Sequence, residues 1–160
     1  MVSNPGFFRA DTAKSVVFVT DDNSSKNAVD TMAGIEKLGG GFKKELITIN
    51  SFIGLGKPTS PCQAATGDVY KALATDTGGK TFNICEVDWS NHFETLVDST
   101  ISKLIRTFQL KDKDAATITS VEVDRKVIDP SKYKFVKGIL TLDDSVDLEA
   151  NSEVVISFRK

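Results

Sequence analysis

Two aspartates stand directly after an apolar run: Val16-Val17-Phe18-Val19 closes on Thr20, Asp21 and Asp22. Carboxylates just past the carboxyl end of a strand can ligate a divalent cation, and open α/β sheets place their binding sites at that end. The plainer alternative is that Asp22 caps a following helix while Asp21 faces solvent. Cys62 and Cys85 are the only two cysteines. Cys62 follows Pro61 in a long irregular stretch, and Cys85 ends a strand-like run that this stretch must approach. A bridge between them would close a loop of about 23 residues, stabilise the fold by roughly 3 kcal/mol and point to an oxidising compartment; the alternative is two buried thiols. A structural zinc needs four ligands, and only His92 could join the pair.

His92 is the sole histidine and falls in the first turn of a long helical pattern beside Phe93. Catalysis would require a nucleophile and an orienting acid near it, and the chain contains no Gly-x-Ser-x-Gly elbow. Gly39-Gly40-Gly41 and Gly54-Leu55-Gly56-Lys57 lack the spacing and the strand-to-helix setting of a phosphate loop, so they read as turns. Asp143, Asp144, Asp147 and Glu149 form an acidic group without the spacing of an EF-hand, which reads as a solvated loop.

The elements that must position these residues alternate between strand and helix as far as Phe108. Four consecutive apolar residues at Val16 to Val19 predict a strand buried on both faces. Several N-cap candidates follow at Asp22-Asn23-Ser24-Ser25, and then Ala28, Val29, Met32, Ile35 and Leu38 recur at helical spacing. Leu46-Ile47-Thr48-Ile49 predicts a second buried strand, followed by a loop rich in Gly, Pro and Ser over residues 51–65 that is long enough to be functional. A short helix from residue 68 to about 75 comes next, then a weaker strand pattern over residues 81–85. Trp89, Phe93, Leu96, Val97, Ile101, Leu104, Ile105 and Phe108 make the strongest amphipathic helix of the chain. Strand and helix in alternation imply a parallel sheet with right-handed crossovers and helices on its faces.

The character changes at Lys111-Asp112-Lys113-Asp114. Beyond it, Val121 with Val123, Tyr133 with Phe135, Leu140 with Leu142, and Val154, Ile156 and Phe158 alternate as half-buried antiparallel strands do, with turns at Asp129-Pro130 and Lys137-Gly138. The expected organisation is therefore an α/β part over residues 1–110 and a small all-β module of about four strands over residues 111–160.

Composition narrows the function classes. Of 160 residues, 40% are hydrophobic and 26% charged, which is ordinary for a globular fold. A formal net charge of -2, with 20 Lys and Arg scattered along the chain, leaves no electrostatic footprint for nucleic acid. Apolar runs of four or five residues fall far short of the roughly 20 needed to span a bilayer.

The order of segments resembles the carboxyl-terminal half of a von Willebrand factor type A domain of the kind found in bacterial exported proteins and lipoproteins. The stretches that carry the resemblance are Gly6-Phe7-Phe8-Arg9-Ala10-Asp11 leading into VVFVTDD, then ALATDTGGKTFNIC, then Asp88-Trp89-Ser90, with Phe108-Gln109-Leu110 opening the β module. The resemblance covers nearly the whole chain, although each motif is short. It implies a cation held by three loops at the carboxyl edge of the sheet, of which only the third loop's aspartate, Asp21, has a counterpart here. It therefore implies an incomplete site, with no cofactor in this chain and Mg²⁺ or Mn²⁺ in a complete domain. A rival alignment reads Asp21, Asn23 and Ser25 as the first-loop motif; the order of the later segments argues against it.

The reading that follows is a non-enzymatic binding or adhesion module, exported to the periplasm, cell surface or medium, with a protein partner. With almost no residues ahead of it, the 16–19 strand reads as part of a larger sheet, and its edge is expected to pair with a further fragment or to self-associate. The alternatives are a structural assembly subunit docking through that edge, and a small α/β hydrolase.

Overall fold

The computed structural model describes residues 12–38, 43–56, 61–110, 117–149 and 151–159. The glycines at 39–41, Lys57, the 6–11 stretch of the family resemblance and the 111–114 connector lie outside the described residues. The chain divides into two compact units, Met1–Thr100 and Ile101–Lys160.

The first unit is built on a three-stranded parallel sheet. Strand β1 (Lys14–Thr20) and strand β3 (Thr81–Asn83) flank the central β2 (Ile47–Ile53), in the order β1-β2-β3. All seven residues of β2 are buried, as expected of a β-branched and aromatic run covered on both faces. Its interior polar groups are satisfied: Asn50 Oδ1 accepts the Lys80 N–H at 2.9 Å, Ser51 Oγ lies 3.2 Å from the Tyr70 carbonyl, and the Ile49 N–H donates to Thr77 Oγ1 at 2.9 Å. An unpaired group at such depth would cost about 1–3 kcal/mol.

Helices α1 (Ala28–Glu36) and α2 (Asp68–Thr77) cover one face, where Met32, Ile47, Ile49 and Leu73 form a core with Val16, Phe18 and Tyr70 against it. The other face carries Phe52, whose ring lies 4.8 Å from Trp89 and 4.7 Å from Phe82. Trp89 leads into α3 (Ser90–Arg106). Helix α2 ends on Gly78 in the left-handed conformation, φ 70°, and a Cβ on the next residue, Gly79, would overlap the Ile49 carbonyl. Only glycine lets the end of α2 come this close to β2.

Several expectations are corrected. Strand β1 is not buried on both faces: Val17 and Val19 are exposed, because among the described residues only β2 pairs with β1 and it stands at the sheet edge. The residues expected to cap α1 do not do so; Asn27 does, its side chain accepting the Asp30 N–H at 2.8 Å. Strand β3 stops at Asn83, two residues short of Cys85. Helix α3 ends at Arg106 rather than running through Phe108, since Thr107–Gln109 becomes strand β4 and Phe108 packs in the β core.

In the second unit, two three-stranded antiparallel sheets enclose Val121, Val123, Leu140, Leu142 and Val146. Strands β5 (Thr117–Val123), β6 (Lys126–Val127) and β9 (Val154–Arg159) form one sheet, ordered β6-β5-β9. Strands β7 (Tyr133–Val136) and β8 (Ile139–Leu142) join β4 in the other, ordered β4-β8-β7. The turn expected at Lys137-Gly138 is a two-residue hairpin with φ of 50° and 80°, the primed geometry that matches strand twist. The two compact units divide between Thr100 and Ile101, inside α3, and β4 pairs with β8. Arg106 is buried and donates from its guanidinium to the Val146 and Asp143 carbonyls at 2.8 and 3.0 Å, which holds the turn after β8.

Three aspartates of the second unit are held below the ordinary carboxylate pKa of 3.8. The Ser131 hydroxyl and N–H act on Asp129, the Ser145 hydroxyl and N–H on Asp143, and the Glu153 N–H followed by Ser152 on Asp124. A depressed folded-state pKa contributes stability above the unfolded value and loses it as pH falls through the folded value. Melting temperature should therefore fall progressively below about pH 4, and Asp129→Asn with Asp143→Asn should flatten that acid limb when melting is followed by circular dichroism across pH.

Candidate functional site

The carboxyl ends of β1, β2 and β3 meet the loop that joins β2 to α2. That loop opens at Gly54, where added bulk would press on the Ala65 carbonyl and the Gln63 side chain, and its far end returns so that the Gly67 N–H donates to the Gly54 carbonyl at 3.1 Å. Between these points it is laced to the end of β1: the Asp21 carbonyl accepts the N–H groups of Ala64 at 2.7 Å and Ala65 at 3.0 Å. It is also fixed covalently. Cys62 and Cys85 form a disulfide with Cα atoms 5.5 Å apart, joining the loop to the turn after β3. That turn is set by the Ile84 N–H donating to Ile53 and by Asn83 Oδ1 accepting the Cys85 N–H at 3.1 Å. Gln63 is buried beside the bridge, its amide directed to the Gly56 carbonyl at 3.3 Å and its Oε1 lying 3.6 Å from Cys85 Sγ, a contact without a hydrogen bond because a bridged sulfur carries no proton.

Asp21 and Asp22 both lie exposed at this edge, and they are used differently. Asp21 anchors the loop through its backbone. Asp22 Oδ1 accepts the Asn23 N–H at 2.7 Å, and Thr20 Oγ1 accepts the Asp22 N–H at 3.2 Å, so Asp22 shapes the turn and does not cap α1. Asn23 reaches across the edge: its Oδ1 accepts the Val69 N–H at 3.1 Å and satisfies the first turn of α2, whose N-cap Gly67 has no side chain to do so. That commitment of Asn23 weighs against Asp21, Asn23 and Ser25 as one ligand set. Among the described residues no group of three or more His, Cys, Asp or Glu is placed to hold a metal ion. An octahedral Mg²⁺ site would need oxygen donors beyond Asp21.

No protein-family model, curated protein or solved structure matches the chain.

The remaining candidates are His92 and the acidic group of the second unit. His92 packs its ring 5.0 Å from that of Phe82 and 6.1 Å from that of Phe52, and its Nε2 lies 2.8 Å from the Glu86 carboxylate. The ring is packed among aromatic side chains, and Nε2 is buried close to that carboxylate without a hydrogen bond to it. Asp143, Asp144, Asp147 and Glu149 are all exposed; Asp147 and Glu149 line an open cleft of about 350 Å³ with Asp124, Asn151 and Ser152. No helix among the described residues is long and apolar enough to cross a membrane.

Sequence reasoning missed Gln63 and the capping role of Asn23. Both act through contacts distant in sequence, Asn23 on a helix 46 positions away, and neither leaves a periodic signal.

Loss of the bridge should be costly because it constrains a loop spanning 23 positions. Cys62→Ser with Cys85→Ser should lower unfolding free energy by about 3 kcal/mol in urea titration. Mass measurement with alkylation, before and after reduction, should find two new alkylation sites only after reduction.

Proposed function

We propose that the chain is a non-enzymatic binding module, exported to an oxidising compartment and built on the carboxyl-terminal half of a von Willebrand factor type A fold. The partner in this reading is a protein, engaged at the carboxyl edge of the parallel sheet. The observation that carries it is the loop at that edge, bonded to the Asp21 carbonyl and locked by Cys62–Cys85. A loop fixed in this way presents a preorganised surface, which lowers the ordering cost of binding. The disulfide is compatible with export and the parallel sheet with the family resemblance.

In a complete domain Asp21 would be one ligand of Mg²⁺ or Mn²⁺, and the cation would be completed by donors from other loops and from the partner. The carboxylate is exposed at the strand end and available for that role. Among the described residues no group of His, Cys, Asp or Glu completes a site with it, so calorimetric titration with Mn²⁺ should give millimolar affinity or weaker, little changed by Asp21→Ala. Stoichiometric micromolar binding abolished by Asp21→Ala would place a complete site within these residues and overturn the half-domain reading.

A further inference from the structure

The covalent tie at the carboxyl edge of the sheet lies beside a buried acceptor that it leaves unsatisfied. Gln63 is 8% exposed, and its Nε2 donates to the Gly56 carbonyl at 3.3 Å. That bond turns the amide so that Oε1 lies 3.6 Å from Cys85 Sγ and closes against Gly54, where a Cβ would stand 2.9 Å from it. A bridged sulfur carries no proton, and no other donor among the described residues reaches Oε1. A thiol in the same place would donate to it. The open form of the bridge thus satisfies an acceptor that the closed form strands, and this difference favours opening. Both half-cystines are also partly exposed, next to exposed Pro61 and Glu86, so a reductant reaches the sulfurs in the folded chain. The core of the first unit, built on Met32, Ile47, Ile49 and Leu73, takes no side chain from the 54–67 loop. Opening the bridge therefore loosens the rim and spares the sheet.

We infer that Cys62–Cys85 is a redox-sensitive latch, opened by a dithiol reductant and closed again by a disulfide oxidant, that sets whether the rim around Asp21 is held or loose. In the opening step a thiolate of the dithiol attacks Cys62 Sγ; a mixed disulfide forms as the bond to Cys85 breaks. Cys85 leaves as a thiolate, takes a proton from solvent and donates its S–H to Gln63 Oε1. The second thiolate of the reductant then attacks the mixed disulfide, releases Cys62, which is protonated in turn, and departs as a disulfide. Two electrons and two protons pass from the dithiol to the bridge. Closing reverses these steps. Only the consequence for partner binding, loss of a preorganised surface on reduction, rests on the role proposed above; the readouts of the latch need no partner.

The test uses the full chain, with dithiothreitol as the dithiol and alkylation followed by mass measurement as the readout. The opening rate should rise in proportion to dithiothreitol without levelling off, and urea below the unfolding transition should leave it unchanged, because attack occurs on the folded chain. In glutathione redox buffers the ratio of open to bridged chain should fall about fivefold or more in Gln63→Met, which keeps the shape of the side chain without its carbonyl. It should rise about fivefold or more in Gln63→Glu, whose carboxylate is a stronger acceptor for the thiol. Circular dichroism of both variants checks that they fold, and the kinetic measurement on the unmodified chain stands without them. An opening rate that levels off at the rate of global unfolding would overturn the inference. So would an open-to-bridged ratio that neither folded variant changes.

Discussion

Complete burial of β2 is the constraint on which the first unit depends. A strand with both faces covered and both edges paired must satisfy every polar group internally, and Asn50, Ser51 and the Ile49 N–H do this with Lys80, Tyr70 and Thr77, from α2 and the segment that follows it. The same requirement fixes the neighbours. Gly79 permits the end of α2 to touch the Ile49 carbonyl, and Phe52 sets the aromatic layer with Phe82 and Trp89 on which α3 rests. Once β2 is in place, its carboxyl end also determines where the 54–67 loop begins.

That loop carries the edge proposed for binding. Its described residues carry no regular secondary structure, yet it is held by backbone bonds at Asp21 and Gly54, by the side chain of Gln63 and by a disulfide. Ordering such a segment costs about 1–2 kcal/mol of backbone entropy per residue, and the bridge offsets part of this by restricting the unfolded chain. The result is a shaped rim around Asp21, the geometry on which the proposed binding role rests.

Much of this was legible in the sequence where the signal is local. The run at Val16 to Val19, the helical spacing of Ala28 to Ile35 and the glycine pair after α2 identified elements of a parallel α/β sheet, and the alternation after residue 117 identified the antiparallel strands. The bridge between Cys62 and Cys85 followed from the placement of each cysteine near the same sheet edge. What was not legible depends on tertiary context. An apolar run cannot say which strand is central, so β1 was expected to have the burial that β2 possesses. Phe108 fits the helical stripe of α3 and a strand equally well, and pairing with Leu140 decides it. The hairpin turn at Asp124-Arg125, with φ of 49° and 67°, carries no glycine to announce it; Asp124 Oδ1 instead accepts the Glu153 N–H at 2.8 Å. Asn23 looks like a local cap and serves a remote helix.

The central claim is that the disulfide holds the rim around Asp21 while β2 holds the sheet. Amide hydrogen exchange measured by mass spectrometry, before and after selective reduction of Cys62–Cys85, tests it most directly. The account predicts that amides of residues 47–53 remain the slowest in the first unit in both states, whereas those of Ala64, Ala65 and Gly67 exchange at least tenfold faster once the bridge is opened. Unchanged protection of those three amides, or loss of protection in β2 together with them, would contradict it.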